Sequence, residues 1–389
     1  MPGRIKLPRA GRRRPGGERM NQVITPTIGA RDLAKELGKP QPTDQQVAVI
    51  ESELQPLLVV AGAGSGKTAT MTDRVVYLVA NGLVAPSEIL GLTFTRKAAS
   101  ELQSRIERHL RSLARSGIVP AGTASAELGL IGSLTERPRI STYNAYAAQL
   151  VRDHGIRPGL ENDQTTIGEA GRYHFASPVG APWAGDLELA SAPITVVRAV
   201  VTLAGELAEH MLTPVQARDQ LLAIADELAD AAPAGSKKVP YAEVAKIIAS
   251  LRARASLMPL IEGFSAAKRA RGAMDFADQV ASAARLAADF PVVAERERAT
   301  ARVVLLDEYQ DTSVAQLAML RSLFGDGHPV TAVGDPHQGI YGWRGASAGA
   351  LLSFPEQFPL ASGAPAPVAH LTTSWRNDRA VLTAANVAS

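Results

Sequence analysis

Short apolar runs alternate with longer amphipathic stretches along most of this chain. Leu57 to Ala61 is five apolar residues in a row, too short for a helix and therefore a buried strand. The segment after it, up to about Ala80, is amphipathic and predicts a helix. Similar runs stand at Glu88 to Phe94, Arg139 to Thr142, Arg302 to Leu306, His328 to Val333 and Pro367 to Thr372. Beyond the second run, Leu102, Ile106, Leu110 and Leu113 share one stripe, with arginines elsewhere. Short helices are predicted from Ala30 to Leu37, stopped by Gly38 and Pro40, and from Gln45 to about Glu53, capped by Thr43 or Asp44. From about Val151 to Arg271 the texture changes to Ala/Leu-rich helices with a break near Thr213-Pro214. Residues 117–138, with Gly, Pro, Ala and Ser, read as a loop.

Strands alternating with helices predict an α/β domain: a mainly parallel sheet with helices on both faces. Residues 151–271 read as a helical subdomain inserted into it, and they hold no catalytic constellation. The strand ends at residues 61, 94, 142, 307 and 334 are expected along one edge, where ligands bind in such sheets. One last strand and helix cannot enclose a core of their own. The expected division is thus 1–41 tail and short helix, 42–150 and 272–350 one domain, 351–389 the start of a second.

Composition narrows the chemistry. With 389 residues and no cysteine, the chain forms no disulfide, thiolate nucleophile or Cys-ligated zinc site. That suits a reducing compartment, so the cytoplasm is expected. No apolar run reaches the length of a membrane span. The basic balance is uneven. Residues 1–20 hold Arg4, Lys6, Arg9, Arg12, Arg13, Arg14 and Arg19 against Glu18, so the other 369 residues carry −3 of the overall +3. A nucleic-acid footprint on the folded body must be a local patch. The tail itself admits three readings: a transit peptide, which its Pro and Gly oppose; a translation start at Met20; or a basic arm touching DNA phosphates.

Candidate chemistry concentrates at strand ends. Ala61-Gly62-Ala63-Gly64-Ser65-Gly66-Lys67-Thr68, between a strand and a helix, has the layout of a phosphate-binding loop. In such a loop backbone N–H groups cradle phosphates, Lys67 reaches the β- and γ-phosphates, and Thr68 ligates Mg²⁺. Gln45, just upstream, is a candidate adenine reader, because a carboxamide can both donate to and accept from that base. Asp307 and Glu308 end another strand, where Asp307 would hold the metal and Glu308 would orient the attacking water. Gln338 follows a further strand and is placed to sense a γ-phosphate. Trp343 beside Arg344 offers a stacking face and a cation for single-stranded nucleic acid. The histidines His154, His174 and His210 are scattered and predict no metal site.

These segments, together with Thr93 to Ala99, Thr142-Tyr143-Asn144, Asp307 to Thr312, Gly334 to Gln338 and Trp375-Arg376, occur in one order. That order resembles the N-terminal half of UvrD/Rep/PcrA-type superfamily 1 DNA helicases, and the Thr95-Arg96-Lys97 and Ser141 to Asn144 wording resembles AdnB-like recombination helicases. The resemblance implies a RecA-like P-loop NTPase sheet and a motor that uses ATP and Mg²⁺ to move 3′ to 5′ on single-stranded DNA, separating duplex from partially duplex substrates. It also implies base contacts by Phe94, Tyr341 and Trp343, and backbone contacts by Thr95, Thr142 and Arg344. Arg376 would reach the γ-phosphate from the second motor domain, and a partner helicase–nuclease subunit is expected. Asp275-Phe276-Ala277-Asp278 resembles the segment re-entering the first motor domain, with Ala277 a departure; Asn144 stands where the family often has His. The family continues through a second motor domain with a further arginine, so the chain is expected to be part of a helicase, or to bind ATP and DNA without turnover.

Overall fold

Eight strands organise the described part of the chain: β1 (Leu57–Ala61), β2 (Ile89–Thr93), β3 (Arg139–Thr142), β4 (Thr165–Thr166), β5 (Ala273–Met274), β6 (Val303–Leu306), β7 (Val330–Gly334) and β8 (Val368–Leu371). The computed structural model describes residues 26–117, 136–157, 164–180, 192–231, 241–339 and 349–388. Six of the strands form one sheet in the order β3-β2-β6-β7-β1-β8. All its pairings are parallel, with Val60 opposite Gly334, Ala61 opposite Leu371, and Thr93 opposite Thr142. The C-terminal ends therefore line one edge, as the strand-end pattern predicts.

The sheet explains why its strands read as unbroken apolar runs: helices cover both faces. On β6, Val304 and Leu306 pack with Tyr143, Leu150, Ala283, Met319 and Phe354. Val303 and Leu305 face the other way, toward Val49, Met71, Val75, Leu102 and Ile106. The stripe Leu102, Ile106, Leu110 and Leu113 is buried along the helix Arg96–Ser116. Thr213 caps the helix Pro214–Asp230 through a reciprocal bond with Gln216, with proline at its first turn, so the predicted break is a helix start.

The helices Glu169–Gly180, Pro193–Glu209 and Met258–Arg269 share a separate core that includes Val197, Val200, Val201, Leu260, Ile261 and Phe264. A two-stranded pairing of β4 with β5 closes this inserted unit where the chain returns to the sheet. At that seam the buried Lys268 Nζ donates to Asp275 Oδ2 at 2.9 Å and to Asp278 Oδ2 at 2.5 Å. Asp275 and Asp278 also cap the returning helix Phe276–Asp289 reciprocally.

One expectation needs correcting. The strand predicted between Pro367 and Thr372 forms, but it pairs with β1 on the edge of this same sheet. The helix Ala350–Gln357 buries Leu351 and Phe354 in the sheet's own core. Residues 350–371 thus complete the first sheet, and a second unit does not begin at residue 351. A four-residue edge strand, half exposed at Val368, carries no local pattern that names its neighbour. Among the described residues no helix is long and apolar enough to cross a membrane.

Candidate nucleotide site and its edge

β1 delivers the glycine-rich turn, which passes into the helix Lys67–Ala80. Gly64 and Gly66 take left-handed backbone angles, φ +75° and +86°. At Gly64 the lack of a side chain matters twice, because a Cβ there would also stand 2.6 Å from Arg376 Cβ. Lys67 Nζ and Ser65 Oγ are buried without a hydrogen-bond partner among the described residues. The charge nearest to Lys67 is Glu308, whose Oε2 lies 3.5 Å from Nζ. A buried ammonium left this way is costly in a folded protein unless an anion completes it, so the residues present fit a polyphosphate.

β6 delivers the acidic pair. Asp307 is buried, and its backbone N donates to Leu92 O across the sheet at 2.9 Å. Burial, and next the adjacent Glu308 carboxylate, push the Asp307 carboxyl up to about 6 from 3.8, with Lys67 opposing. Asp307 Oδ1 accepts from the Glu308 backbone N at 3.1 Å. Glu308 itself has φ +51°, a conformation other residues adopt only when their surroundings enforce it. Tyr143 OH donates to Asp307 O at 3.2 Å, and Tyr309 packs edge-on against Phe354. An acidic pair beside a buried lysine at a sheet edge can hold a divalent cation through Asp307 and Thr68, and can align water through Glu308.

β7 ends in Gly334, and Asp335 then accepts from Gln338 Nε2 at 2.5 Å. Gln338 is therefore engaged by its own turn. β8 ends beside the phosphate loop rather than across a domain cleft. Ser374 Oγ donates to Ala63 O at 3.1 Å, and Trp375 N donates to Gly64 O at 2.9 Å. Arg376 comes from this same sheet, correcting its expected origin in a second domain. Trp375 keeps 66% of its surface exposed at the loop's rim, an aromatic face beside Arg376.

Gln45 also sits differently from expectation. Its Oε1 accepts from Thr372 N at 2.9 Å, and its Nε2 donates to Thr372 Oγ1 at 2.9 Å. The neighbour Gln46 lies on the loop, its Nε2 donating to Ser65 O at 3.5 Å and standing 3.0 Å from where a Gly66 Cβ would be. Thr43 fixes it there, through the reciprocal cap between Thr43 and Gln46.

The candidate nucleic-acid residues divide. Thr142 ends β3 and Thr95 lies two residues past the end of the neighbouring β2, and each caps its helix, accepting from Ala145 N and Ala98 N at 3.1 Å. Their hydroxyl hydrogens stay available to a phosphate oxygen. Phe94, just past the end of β2 and next to Thr95, is half-buried, and Asn144 Oδ1 accepts from Gln316 Nε2 at 3.1 Å. Tyr341, Trp343 and Arg344 lie outside the described residues.

The family described as UvrD/REP helicase N-terminal domain matches residues 42–359. The chain is 30% identical over 350 residues to ATP-dependent DNA helicase UvrD1 of Mycobacterium tuberculosis, covering 88% of this chain and 38% of that protein. It is 27% identical over 344 residues to ATP-dependent DNA helicase PcrA of Staphylococcus aureus, covering 88% and 39%. The chain thus spans about two fifths of the length of these curated relatives. A phosphate loop, an acidic strand end facing its lysine, and a match across most of the chain converge: it belongs to the UvrD/REP helicase N-terminal domain family.

Proposed function

We propose that this chain is the nucleotide-binding part of an ATP-dependent DNA helicase that moves 3′ to 5′ along single-stranded DNA. The observation that carries this is the approach of Glu308 to Lys67 at 3.5 Å, which brings the ends of two strands, separated by β7, onto one point. In this reading Gly62 to Thr68 would cradle the triphosphate of ATP, and Lys67 would neutralise its terminal phosphates. Thr68 and Asp307 would hold Mg²⁺, which when bound screens phosphate charge. Glu308 would orient or deprotonate water. Arg376, beside Gly64, is placed to approach a γ-phosphate, with Gln338 on the neighbouring strand end. Gln46 takes over from Gln45 as the carboxamide nearest the nucleotide, and Trp375 supplies a face for the base.

The DNA track would run along the ends of β2 and β3, past Phe94, Thr95 and Thr142, and on to Tyr341, Trp343 and Arg344. The cytoplasm and a helicase–nuclease partner belong to the same reading, on the strength of the family resemblance. Titration of the purified chain with a fluorescent ATP analogue tests the first step: micromolar binding that requires Mg²⁺ supports it, and no binding defeats it. A second reading is that the chain binds ATP and DNA without turnover. Phosphate release stimulated by single-stranded DNA excludes that second reading.

A further inference from the structure

Gln310 lies two residues beyond Glu308, in the short turn Tyr309–Asp311, and is buried. Both ends of its carboxamide are engaged. Nε2 donates to Glu308 Oε2 at 2.8 Å, and Oε1 accepts from the Asp335 backbone N at 3.0 Å. The orientation of this amide is settled by its partners, because a carboxylate only accepts and a backbone N–H only donates. Glu308 Oε2 is also the oxygen that faces Lys67 Nζ. Asp335 continues the line, accepting from Gln338 Nε2 through Oδ2 at 2.5 Å and from His337 N through Oδ1 at 3.0 Å. Contacts therefore run without a break from the phosphate loop through Glu308, Gln310 and Asp335 to Gln338.

Two features show that the arrangement is built around this amide. Gly334, at the end of β7, leaves the space it occupies: a Cβ there would stand 2.7 Å from Gln310 Oε1. Glu308 holds a left-handed backbone, and Gln310 steadies the same carboxylate oxygen that Lys67 approaches. A glutamate required to align water gains from such a second partner, since small displacements at a reacting group are expensive in rate.

We infer that Gln310 is a positioning residue for hydrolysis: it fixes the Glu308 carboxylate and ties its place to the turn from Gly334 to Gln338. The inference rests on the reading of Glu308 as the water-orienting group. The tie gives the turn from Gly334 to Gln338 a handle on the hydrolytic carboxylate. A shift of the turn on DNA binding would be transmitted to Glu308 through one side chain.

The experiment measures steady-state ATP turnover and nucleotide affinity in the full-length protein, with and without single-stranded DNA. Gln310→Leu keeps the volume and removes both bonds; Gln310→Glu keeps the bond from Asp335 N and replaces the donor to Glu308. Both variants should lower DNA-stimulated kcat by about 10- to 100-fold, the range seen when an outer-sphere partner is removed. Nucleotide Kd and KM should stay within about twofold, and the stimulation by DNA should shrink toward none. On a Glu308→Gln background, Gln310→Leu should cost nothing further, because residues acting through one group are not additive. Turnover within threefold of wild type, a fall in affinity that matches the fall in kcat, or full additivity with Glu308→Gln would overturn the inference. If Gln310→Leu does not fold, Gln310→Glu decides alone. A wild-type protein that neither binds nor hydrolyses ATP defeats instead the nucleotide reading on which this one stands.

Discussion

Lys67 Nζ stands 3.5 Å from Glu308 Oε2, although 240 residues, the whole helical insertion among them, separate the two in sequence. The parallel order β6-β7-β1 brings their strand ends together. If the pair serves a bound triphosphate, its two members fail differently. Lys67→Ala should weaken ATP binding at least about tenfold, since a point charge on the phosphates is lost. Glu308→Gln should bind ATP as wild type while turnover falls by about 10²–10⁴, the usual contribution of a general base. Equilibrium titration with single-turnover phosphate release separates the two. Equal affinity in Lys67→Ala and wild type removes the site assignment.

Trp375 follows β8, is held to Gly64 O through its backbone, and leaves its ring in solvent. An exposed indole at the rim of a phosphate loop is an expensive use of apolar surface unless something flat covers it. Trp375→Ala should weaken ATP and GTP alike by roughly 5- to 100-fold, taking about 1–3 kcal/mol for one stacked base. Gln46→Ala should instead narrow the preference of ATP over GTP, because a carboxamide reads the base edge. Competition titrations with both nucleotides measure each effect. Unchanged affinity in Trp375→Ala returns that ring to solvent exposure without a ligand.

How much of this was legible beforehand depends on whether the determinant is local. The strand Leu57 to Ala61 and the acidic strand end at Asp307 could be read because both sheet faces are covered, leaving uninterrupted apolar runs with polar tips. Which of Gln45 and Gln46 lies on the loop depends on helix phase: one residue rotates a side chain roughly 100° about the axis, and Thr43 holds Gln46 there through a capping box. Gln310 carried no such signal: its partners Glu308 and Asp335 lie just past the ends of two different strands, and only the adjacency of those ends gives the amide a purpose. The neighbour of β8 was equally non-local, being decided by β1 more than three hundred residues earlier.

Arg74 is a buried cation that sequence pattern alone would have placed in solvent. It is 1% exposed, and its guanidinium binds four carbonyls: Nη1 donates to Val49 O, Ile50 O and Ser52 O, and Nη2 to Glu53 O. Two of those carbonyls, Val49 and Ile50, end the helix Asp44–Ile50, which carries Gln46, and the other two follow it. Arg74→Met preserves bulk but strands the carbonyls, and it should cost at least about 3 kcal/mol of stability. Arg74→Lys should recover little, because one ammonium cannot reproduce a planar fork. Urea unfolding gives the answer through the midpoint at unchanged slope. A shift under about 1 kcal/mol for Arg74→Met means that water replaces the guanidinium.

His109 links acid stability to the outer helices. Its Nδ1 lies 3.3 Å from Lys39 Nζ and 4.0 Å from Asp73 Oδ1, and Lys39 and Asp73 are themselves paired. Burial first, then the charges of Lys39, Arg108 and Arg105, lower the His109 pKa from 6.5 to about 4. The sign follows from linkage. Below pH 6.5 the unfolded chain takes up a proton that the folded chain refuses until about pH 4, so stability is complete above that window and falls through it. Between pH 7 and pH 5 the loss from this residue should be about 1–2 kcal/mol, discounted for its partial exposure. His109→Gln keeps an acceptor for Lys39 and does not titrate, so its unfolding midpoint should fall less over the same interval. His154 and His328 are also lowered by burial, so the slope is reduced rather than abolished. Parallel pH profiles of wild type and His109→Gln test the assignment; a matching slope in the two proteins removes His109 from the account of acid sensitivity.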